Sequence, residues 1–508
     1  MPEISLSSAD IILTTLNARY IHSAFGLRYL YANLGELQKI TSLDEFTIHE
    51  RPLDIAEKLL NKTPRIIGFS VYIWNINEVT QTVALLKQIA PKVMIVLGGP
   101  EVSHIPDQPE VADLADYVVK GAGEISFRLL CEQILQGIKP LNKVIDGDVA
   151  SLDKLVLPYT YYNEEDIRNR IIYVEASRGC PFKCEFCLSS LDKTSKPFEL
   201  STFLDEIDVL YQRGARNFKF IDRTFNLKVA TSVAILEFFL ERMTDDLYLH
   251  FEVIPDNLPD KLKQVLVRFP PESLQFEIGV QTFDSEIQNL ISRRQDNDKT
   301  CENLRWLREN TGAHLHTDLI FGLPQDTLDN FAKSFDLLVS LKPQEIQMGI
   351  LKRLRGAPIN RHTDEYQLRY NPLPPYNILS TRDIDFITMQ RVNRFARYWD
   401  MIANSGRFIH TLPYILADKP FERFMQLSDG LYAEAGSTWK IALKRLFDLI
   451  YTVMTLKMVV NETTLKQCLK EDYQRSGQSG LPAFLQDKRM KKAPKVGVAN
   501  KRQSQHSR

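Results

Sequence analysis

At 508 residues the chain is too long for one ordinary hydrophobic core and should divide into two or three domains. Hydrophobic residues at 44% and charged residues at 25% are typical of globular proteins, and a net charge of -1 argues against bulk attraction to nucleic acid or to a membrane. Six cysteines, three of them in one short loop, suit a reducing, cytoplasmic setting and not a disulfide framework.

The first ten residues are polar and carry no signal-peptide pattern. From there to about residue 145, short apolar runs alternate with helix-period segments. Strand candidates are 11–13, 46–48, 66–71, 93–97 and 117–119. Leu27, Leu30, Tyr31 and Leu34 fall at helical spacing between the first two, and Val79, Val83 and Leu86 between the third and fourth. This alternation predicts a parallel, doubly wound α/β domain over 1–145, whose ligands would bind beyond the carboxyl ends of the strands. Those ends carry Ser70-Val71-Tyr72, Gly98-Gly99-Pro100-Glu101 and Lys120-Gly121-Ala122-Gly123-Glu124. Any one glycine here reads equally well as a turn residue. As an ordered set they let a backbone approach a ligand closely, which makes Ser70, Tyr72, Gly98, Gly99, Gly121 and Glu124 candidate binding positions. Near the first strand, Arg19-Tyr20-Ile21-His22-Ser23-Ala24-Phe25-Gly26 contains His22, a candidate metal ligand.

A linker over 146–165 leads to a strand at 171–176 and then to Arg178-Gly179-Cys180-Pro181-Phe182-Lys183-Cys184-Glu185-Phe186-Cys187. Thiolates crowded in a short loop hold iron–sulfur clusters. Three cysteines on a [4Fe-4S] cube leave one iron without a protein ligand. A structural zinc site wants four Cys/His ligands, and the neighbourhood supplies three. Further strands are expected at 217–221, 248–253, 274–280, 314–321 and 345–350, with helices such as 203–212, 230–242 and 327–341 between them. Repeated βα units predict a parallel barrel over 166–370, with its chemistry at the carboxyl ends of the strands. Asp222, Glu252 and Gln281 lie at or near those ends, and Glu252 sits between apolar neighbours where a charge is costly unless paired.

At about residue 370 the composition changes. Asn371-Pro372-Leu373-Pro374-Pro375-Tyr376 should break regular structure. Helices are expected at 386–399, 421–431 and 438–454, in a C-terminal domain over 371–480. The longest apolar run, 446–460, is broken by Asp448 and Lys457 and reads as a core helix, not a membrane span. Residues 481–508 form a polar, basic segment expected to be disordered.

The cysteine loop resembles that of the radical S-adenosylmethionine (radical SAM) superfamily, whose open cluster iron chelates the cofactor's methionine part. The resemblance extends over the whole barrel. Phe220-Ile221-Asp222-Arg223-Thr224-Phe225-Asn226 is similar to the Phe-x-Asp-Asp-x-Phe form of the SAM amino-group motif, with Arg223 replacing the second acid. Glu277-Ile278-Gly279-Val280-Gln281-Thr282 with Ile291-Ser292-Arg293-Arg294 resembles the fourth-strand signature, Asp318 to Pro324 the fifth and Lys352 to Pro358 the sixth. The glycine set resembles the Rossmann-like cobalamin-binding domain that precedes many such barrels, and residues 371–480 resemble a C-terminal domain of unassigned function found in one subgroup.

The likeness implies that Cys180, Cys184 and Cys187 hold the cluster and that Phe186 meets the adenine through its backbone. Asp222, Glu252 and Gln281 would line the SAM site, and Ser70, Tyr72, Gly98, Gly99, Gly121 and Glu124 would flank cobalamin. Relatives with a histidine on cobalt carry Asp-x-His-x-x-Gly; His22 is near that place, but its spacing is shifted and the orienting Asp is absent. The C-terminal domain would cap the barrel mouth. A reduced cluster would cleave SAM to a 5′-deoxyadenosyl radical that takes hydrogen from an organic substrate, and cobalamin would supply a methyl group. The electron would come from a flavodoxin- or ferredoxin-like donor. Cobalamin-independent oxidation, cyclisation or rearrangement stays open, as does a cobalamin or redox sensor. An RNA methylthiotransferase would need three more cysteines in the N-terminal domain, where only Cys131 precedes Cys180.

Overall fold

The computed structural model describes residues 8–148 and 151–486. The first residues read as polar and the basic segment from 487 onward lie outside the described residues. The chain divides into two compact units, Met1–Gln390 and Arg391–Arg508.

The first unit holds two parallel six-stranded sheets. In the first, β1 (Ile11–Asn17), β2 (Thr41–Thr47), β3 (Ile66–Ser70), β4 (Met94–Gly98), β5 (Tyr117–Lys120) and β6 (Val144–Asp146) run in the order β2-β1-β3-β4-β5-β6. β1 is buried along its length. Its alternate residues feed two cores: Ile12 and Leu16 join Val79, Val83 and Leu86 of the helix Ile76–Ile89 on one face, and Ile11 and Leu13 join Leu27, Phe127 and Leu130 on the other. Helices on both faces of a parallel sheet are what the alternating pattern predicts. Two details differ from the sequence reading. β2 begins at Thr41, not at residue 46, because its polar, half-exposed edge residues hide the apolar run. β6, at the end of the predicted 1–145 domain and reaching one residue into the segment read as linker, adds an unpredicted sixth strand by pairing Val118–Lys120 with Val144–Asp146.

The second sheet begins with β7 (Ile172–Val174). A two-residue antiparallel ladder, β8 (Ser177–Arg178) with β9 (Lys196–Pro197), then brackets the cysteine loop. β10 (Asn217–Phe220), β11 (Tyr248–Val253), β12 (Leu274–Gln281), β13 (His314–Phe321) and β14 (Glu345–Ile350) complete an open curve ordered β14-β13-β12-β11-β10-β7. All six strands fall where the sequence pattern puts them; β7 is shorter than 171–176, since Glu175 and Ala176 already turn toward the loop. Strands β12 and β13 alternate strictly between buried and half-exposed residues. The buried set is apolar (Phe276, Ile278, Leu315 and Leu319 among it) except for Thr317, whose hydroxyl donates to the Glu345 carbonyl at 2.9 Å. The other face carries Glu277, His316 and Asp318, and its neighbours on β10 and β11 carry Lys219, His250 and Glu252. An apolar outer face and a charged inner one place polar chemistry inside the curve.

Residues 371–390 cluster with this first unit. Despite their prolines they carry β16 (Ile378–Ser380), which pairs with β15 (Arg369–Tyr370). The second unit is helical: Thr411–Leu416, Pro420–Ala435, Leu443–Lys457 and Glu462–Arg475 follow the end of the helix Phe386–Trp399. The third of these starts at Leu443, five residues after the predicted 438, because Lys440 has a positive φ of 57°. Buried Asp472 accepts hydrogen bonds from the backbones of His410 and Thr411 and from the Thr411 hydroxyl. The aromatic residues Phe395, Phe421 and Phe424 stack as a core, not as a platform. No helix among the described residues is long and apolar enough to cross a membrane.

Candidate functional site

The cysteine loop leaves β8 at Gly179, whose φ is +94°, and a Cβ there would stand 2.4 Å from the Thr194 carbonyl oxygen. Only glycine permits this turn. The Cys180 amide then donates to the Asp192 carbonyl at 3.1 Å, and the Cys187 amide to the Cys184 carbonyl at 3.2 Å. All three thiols are free; Cys180 and Cys184 are buried and Cys187 is half-buried. Burial pushes the Cys180 and Cys184 thiols up, and Arg293, whose Nη1 donates to the Cys184 Sγ at 3.6 Å, opposes this at Cys184. No three His, Cys, Asp or Glu side chains among the described residues converge on a single metal position. A mononuclear site needs that convergence; a cube, with each thiolate on its own iron, does not. The loop's donor set, three thiols within eight residues, fits a cluster.

Glu185, between two of the cysteines, anchors the loop. Its carboxylate accepts from Ser292 Oγ at 2.7 Å, from Arg361 Nε and Nη2 at 2.9 and 2.6 Å, and pairs with His362 Nε2 at 3.0 Å. Its backbone bonds Ile291 and Ile359. Phe186 beside it is half-buried.

Asp222 is buried beneath the loop. Its carboxylate accepts from the Ala176 amide at 3.0 Å and the Ser177 hydroxyl at 2.6 Å, so the residue expected to meet the SAM ammonium also braces the strand that enters the loop. Desolvation pushes its pKa up to about 7 against those two hydrogen bonds. A raised carboxyl pKa means that the folded state holds the proton more tightly. Its contribution is therefore full below the unfolded value and is lost as the pH rises through about 7. Relative to Asp222→Asn, which stays neutral, the wild type should lose about 2–4 kcal/mol of stability as the pH rises from 5 to 8, read by thermal denaturation of both proteins. A pH-independent difference would contradict this.

Glu252 is held by Arg223, whose Nη1 reaches both carboxylate oxygens at 2.8 and 2.9 Å; burial raises its pKa and Arg223 opposes this. Gln281 lies after a bulge in β12, with a positive φ of 71°, and its side-chain nitrogen lies over Gly279. Deeper in the curve, Glu277 accepts from Lys219 at 3.0 Å and pairs with His250 at 3.1 Å. His316 lies between Glu345 at 2.9 Å and Asp318 at 3.4 Å. Burial alone would lower the His316 pKa, but these two carboxylates raise it to about 10.

A cavity of about 1210 Å³ opens at the carboxyl ends of β1, β3, β4 and β5. It exceeds the roughly 300–1,000 Å³ usual for small-molecule sites, as a macrocycle would require. Ser70, Tyr72, Gly98, Gly99, Gly121, Glu124 and His22 all line it. At Gly99, with a φ of +101°, a Cβ would stand 2.5 Å from the Val71 carbonyl oxygen; at Gly121 nothing lies within 4 Å. The residues present fit a large planar ligand approaching the backbone. Trp74, which the sequence reading did not single out, stacks on Tyr72 with ring centroids 4.3 Å apart.

The His22 loop is stitched to the second sheet. The Ile171 amide donates to the Ile21 carbonyl at 2.9 Å, and the Ser23 hydroxyl donates to the Ile171 carbonyl at 2.9 Å. The imidazole Nδ1 meets the Tyr173 hydroxyl at 2.8 Å, so a phenol stands where an orienting carboxylate would be expected. Burial, with Lys219 and Arg19, lowers the His22 pKa.

The far wall of the cavity comes from the second sheet and its loop: Tyr173, Glu175, Arg178, Asp192, Thr194 and Lys196. Arg178, two residues before Cys180, donates to Glu124 at 2.7 Å and to Glu175 at 3.0 Å, and lies over the Tyr29 ring. Sequence reasoning quoted Arg178, Glu185 and Arg293 within motifs without giving them a role, and missed Tyr173. Their signal is a polar residue beside a motif whose partner lies far away in the chain.

Three family models match successive parts of the chain: B12 binding domain over residues 11–130, radical SAM superfamily over 174–338, and protein of unknown function (DUF4080) over 364–507. An uncharacterised methyltransferase of Pyrococcus horikoshii is 23% identical over 61% of this chain and 73% of its own. The cobalamin-dependent radical SAM methyltransferase TokK of Streptomyces tokunonensis is 25% identical over 62% of this chain. The aligned part is about half of TokK's length, 51%. Among solved structures, the cobalamin-dependent S-adenosylmethionine radical enzyme OxsB with aqua-cobalamin and S-adenosylmethionine bound shares the fold, with a TM-score of 0.61 and 13% identity over 94% of this chain and 85% of that one.

Proposed function

We propose that this chain, a radical SAM enzyme of the cobalamin-dependent class by its B12-binding, radical SAM and DUF4080 domains, transfers a methyl group to an unactivated carbon of an organic substrate. The observation that carries this reading is the shared wall. The cavity beyond the first sheet is closed on its far side by Arg178, Asp192, Thr194 and Lys196, which flank or belong to the loop of the three cysteines. A methyl donor in that cavity and a radical generator on that loop would face one substrate.

The class uses a [4Fe-4S] cluster, SAM and cobalamin, which together supply one-electron cleavage of a carbon–sulfur bond and a transferable methyl group. Within this frame Cys180, Cys184 and Cys187 hold the cluster, with Glu185 fixing their loop. Phe186, Glu252 and Gln281 line the SAM side, and Asp222 braces the base of the loop. Ser70, Tyr72, Gly98, Gly99, Gly121 and Glu124 flank the corrin side. His22, turned toward Tyr173, belongs to the boundary between the two cofactors. Radical SAM chemistry needs a reductant, and a flavodoxin- or ferredoxin-like protein suits the role.

The test is metal analysis with a visible spectrum of the protein purified without oxygen from cobalamin-supplied cells, beside Cys184→Ala. Iron and sulfide near four each are expected in the wild type. Corrin bands should survive in Cys184→Ala while iron is lost. Iron without corrin would sink the methyl-transfer reading and turn the search toward oxidation or rearrangement.

A further inference from the structure

We propose that Arg293 tunes the cluster, its guanidinium hydrogen-bonding the Cys184 sulfur and raising the cluster's reduction potential. This rests on the reading of Cys184 as a cluster ligand. The guanidinium is held on three sides. Nε and Nη2 donate to Gln295 Oε1 at 3.0 and 2.8 Å, and Nη2 also donates to the Gly279 carbonyl. These bonds aim the remaining nitrogen, Nη1, at Cys184 Sγ, 3.6 Å away. The backbone brings it there as well: the Ile291 carbonyl accepts from the Glu185 amide at 3.0 Å, and the Ser292 hydroxyl holds the Glu185 carboxylate. Three consecutive residues, Ile291, Ser292 and Arg293, thus grip two consecutive residues of the cysteine loop, Cys184 and Glu185.

No carboxylate among the described residues lies within ion-pair distance of Arg293; its partners are an amide oxygen, a carbonyl and a sulfur. A cation braced by neutral groups against a thiol keeps its whole charge for that sulfur. Once the sulfur ligates iron, an added electron increases the negative charge on the cluster. The nearby cation stabilises the reduced form more than the oxidised one, and hydrogen bonds to cluster sulfurs act in the same direction. Arg293 acts through Cys184 and is a positioning residue.

The experiment uses the full chain reconstituted anaerobically with iron and sulfide, without SAM. Dithionite reduces each cluster by one electron in a mediated titration followed by electron paramagnetic resonance. Wild type, Arg293→Gln, Arg293→Lys and Gln295→Leu are compared at measured iron content. Arg293→Gln should hold wild-type iron and show about a tenfold lower reduced-to-oxidised ratio at the wild-type midpoint, equivalent to about 59 mV for one electron. Arg293→Lys should recover part of that loss. Gln295→Leu, which keeps the guanidinium but removes its brace, should shift the midpoint in the same direction. An unchanged midpoint in Arg293→Gln with full iron overturns the proposal, and so, if that variant loses iron, do unchanged midpoints in the other two. A role confined to holding SAM would appear as no shift in this SAM-free titration. Wild type without iron would instead overturn the assignment of Cys184.

Discussion

Arg178→Met is expected to weaken both halves of the first unit together, losing iron and corrin while lowering the midpoint of thermal unfolding. The guanidinium joins Glu124, at the end of the loop after β5, to Glu175, at the end of β7, by bonds of 2.7 and 3.0 Å. Side-chain exposure of the two acids is 9% and 8%. Burial already pushes the Glu175 carboxyl up, and Arg178 is the main opposing influence. Methionine preserves contact with the Tyr29 ring but leaves two buried carboxylates without a counter-charge. Breaking a buried pair by removing one partner costs about 3–5 kcal/mol, and in a unit this large that lowers the midpoint by roughly 5 °C. The control is Arg178→Met with Glu175→Gln. Removing the stranded charge should restore part of the stability, as coupled sites do. If the double variant is no more stable than the single one, Arg178 acts by packing alone and the electrostatic account fails.

Glu185→Ala should release the cysteine loop while sparing the corrin cavity. Four side-chain hydrogen bonds converge on the Glu185 carboxylate, and His362, one of the partners, is itself buried. Truncation leaves that imidazole unpaired and frees the segment between Cys184 and Cys187. Partners that orient metal ligands from the second layer are worth roughly 10–100-fold in metal affinity. Iron retained through chelator challenge should fall by that order, with corrin uptake unchanged. Glu185→Gln, which keeps an acceptor for Ser292, should be intermediate. Burial alone would raise the Glu185 pKa, but hydrogen bonds from Arg361 and Ser292 and the charges of Arg361 and His362 hold it below the ordinary value of 4.5. A lowered carboxyl pKa contributes stability that is complete above the unfolded value and lost only as the pH falls through the folded one. The anchor should therefore be insensitive to pH across the neutral range. Iron retention equal to wild type in Glu185→Ala would remove Glu185 from this role.

The sequence by itself determined the layout of the first unit. Cys180, Cys184 and Cys187 are legible because their spacing is local, and the strands β7 and β10–β14 because alternation of apolar and polar residues is local too. The glycines after β3, β4 and β5 were legible as an ordered set. Only the tertiary structure decided how these parts are held. Arg178 meets Glu124 across 54 residues, Arg293 meets Cys184 across 109, and Arg361 meets Glu185 across 176. No periodicity records a charge pair at such separation, since each partner alone reads as an ordinary polar residue next to a motif. The same limit hid β6, two half-exposed residues and an exposed one that become a strand only by pairing with β5. It also left His22 open: a lone histidine near a strand end acquires a definite environment only when the chain fold lays its loop against Ile171 and Tyr173.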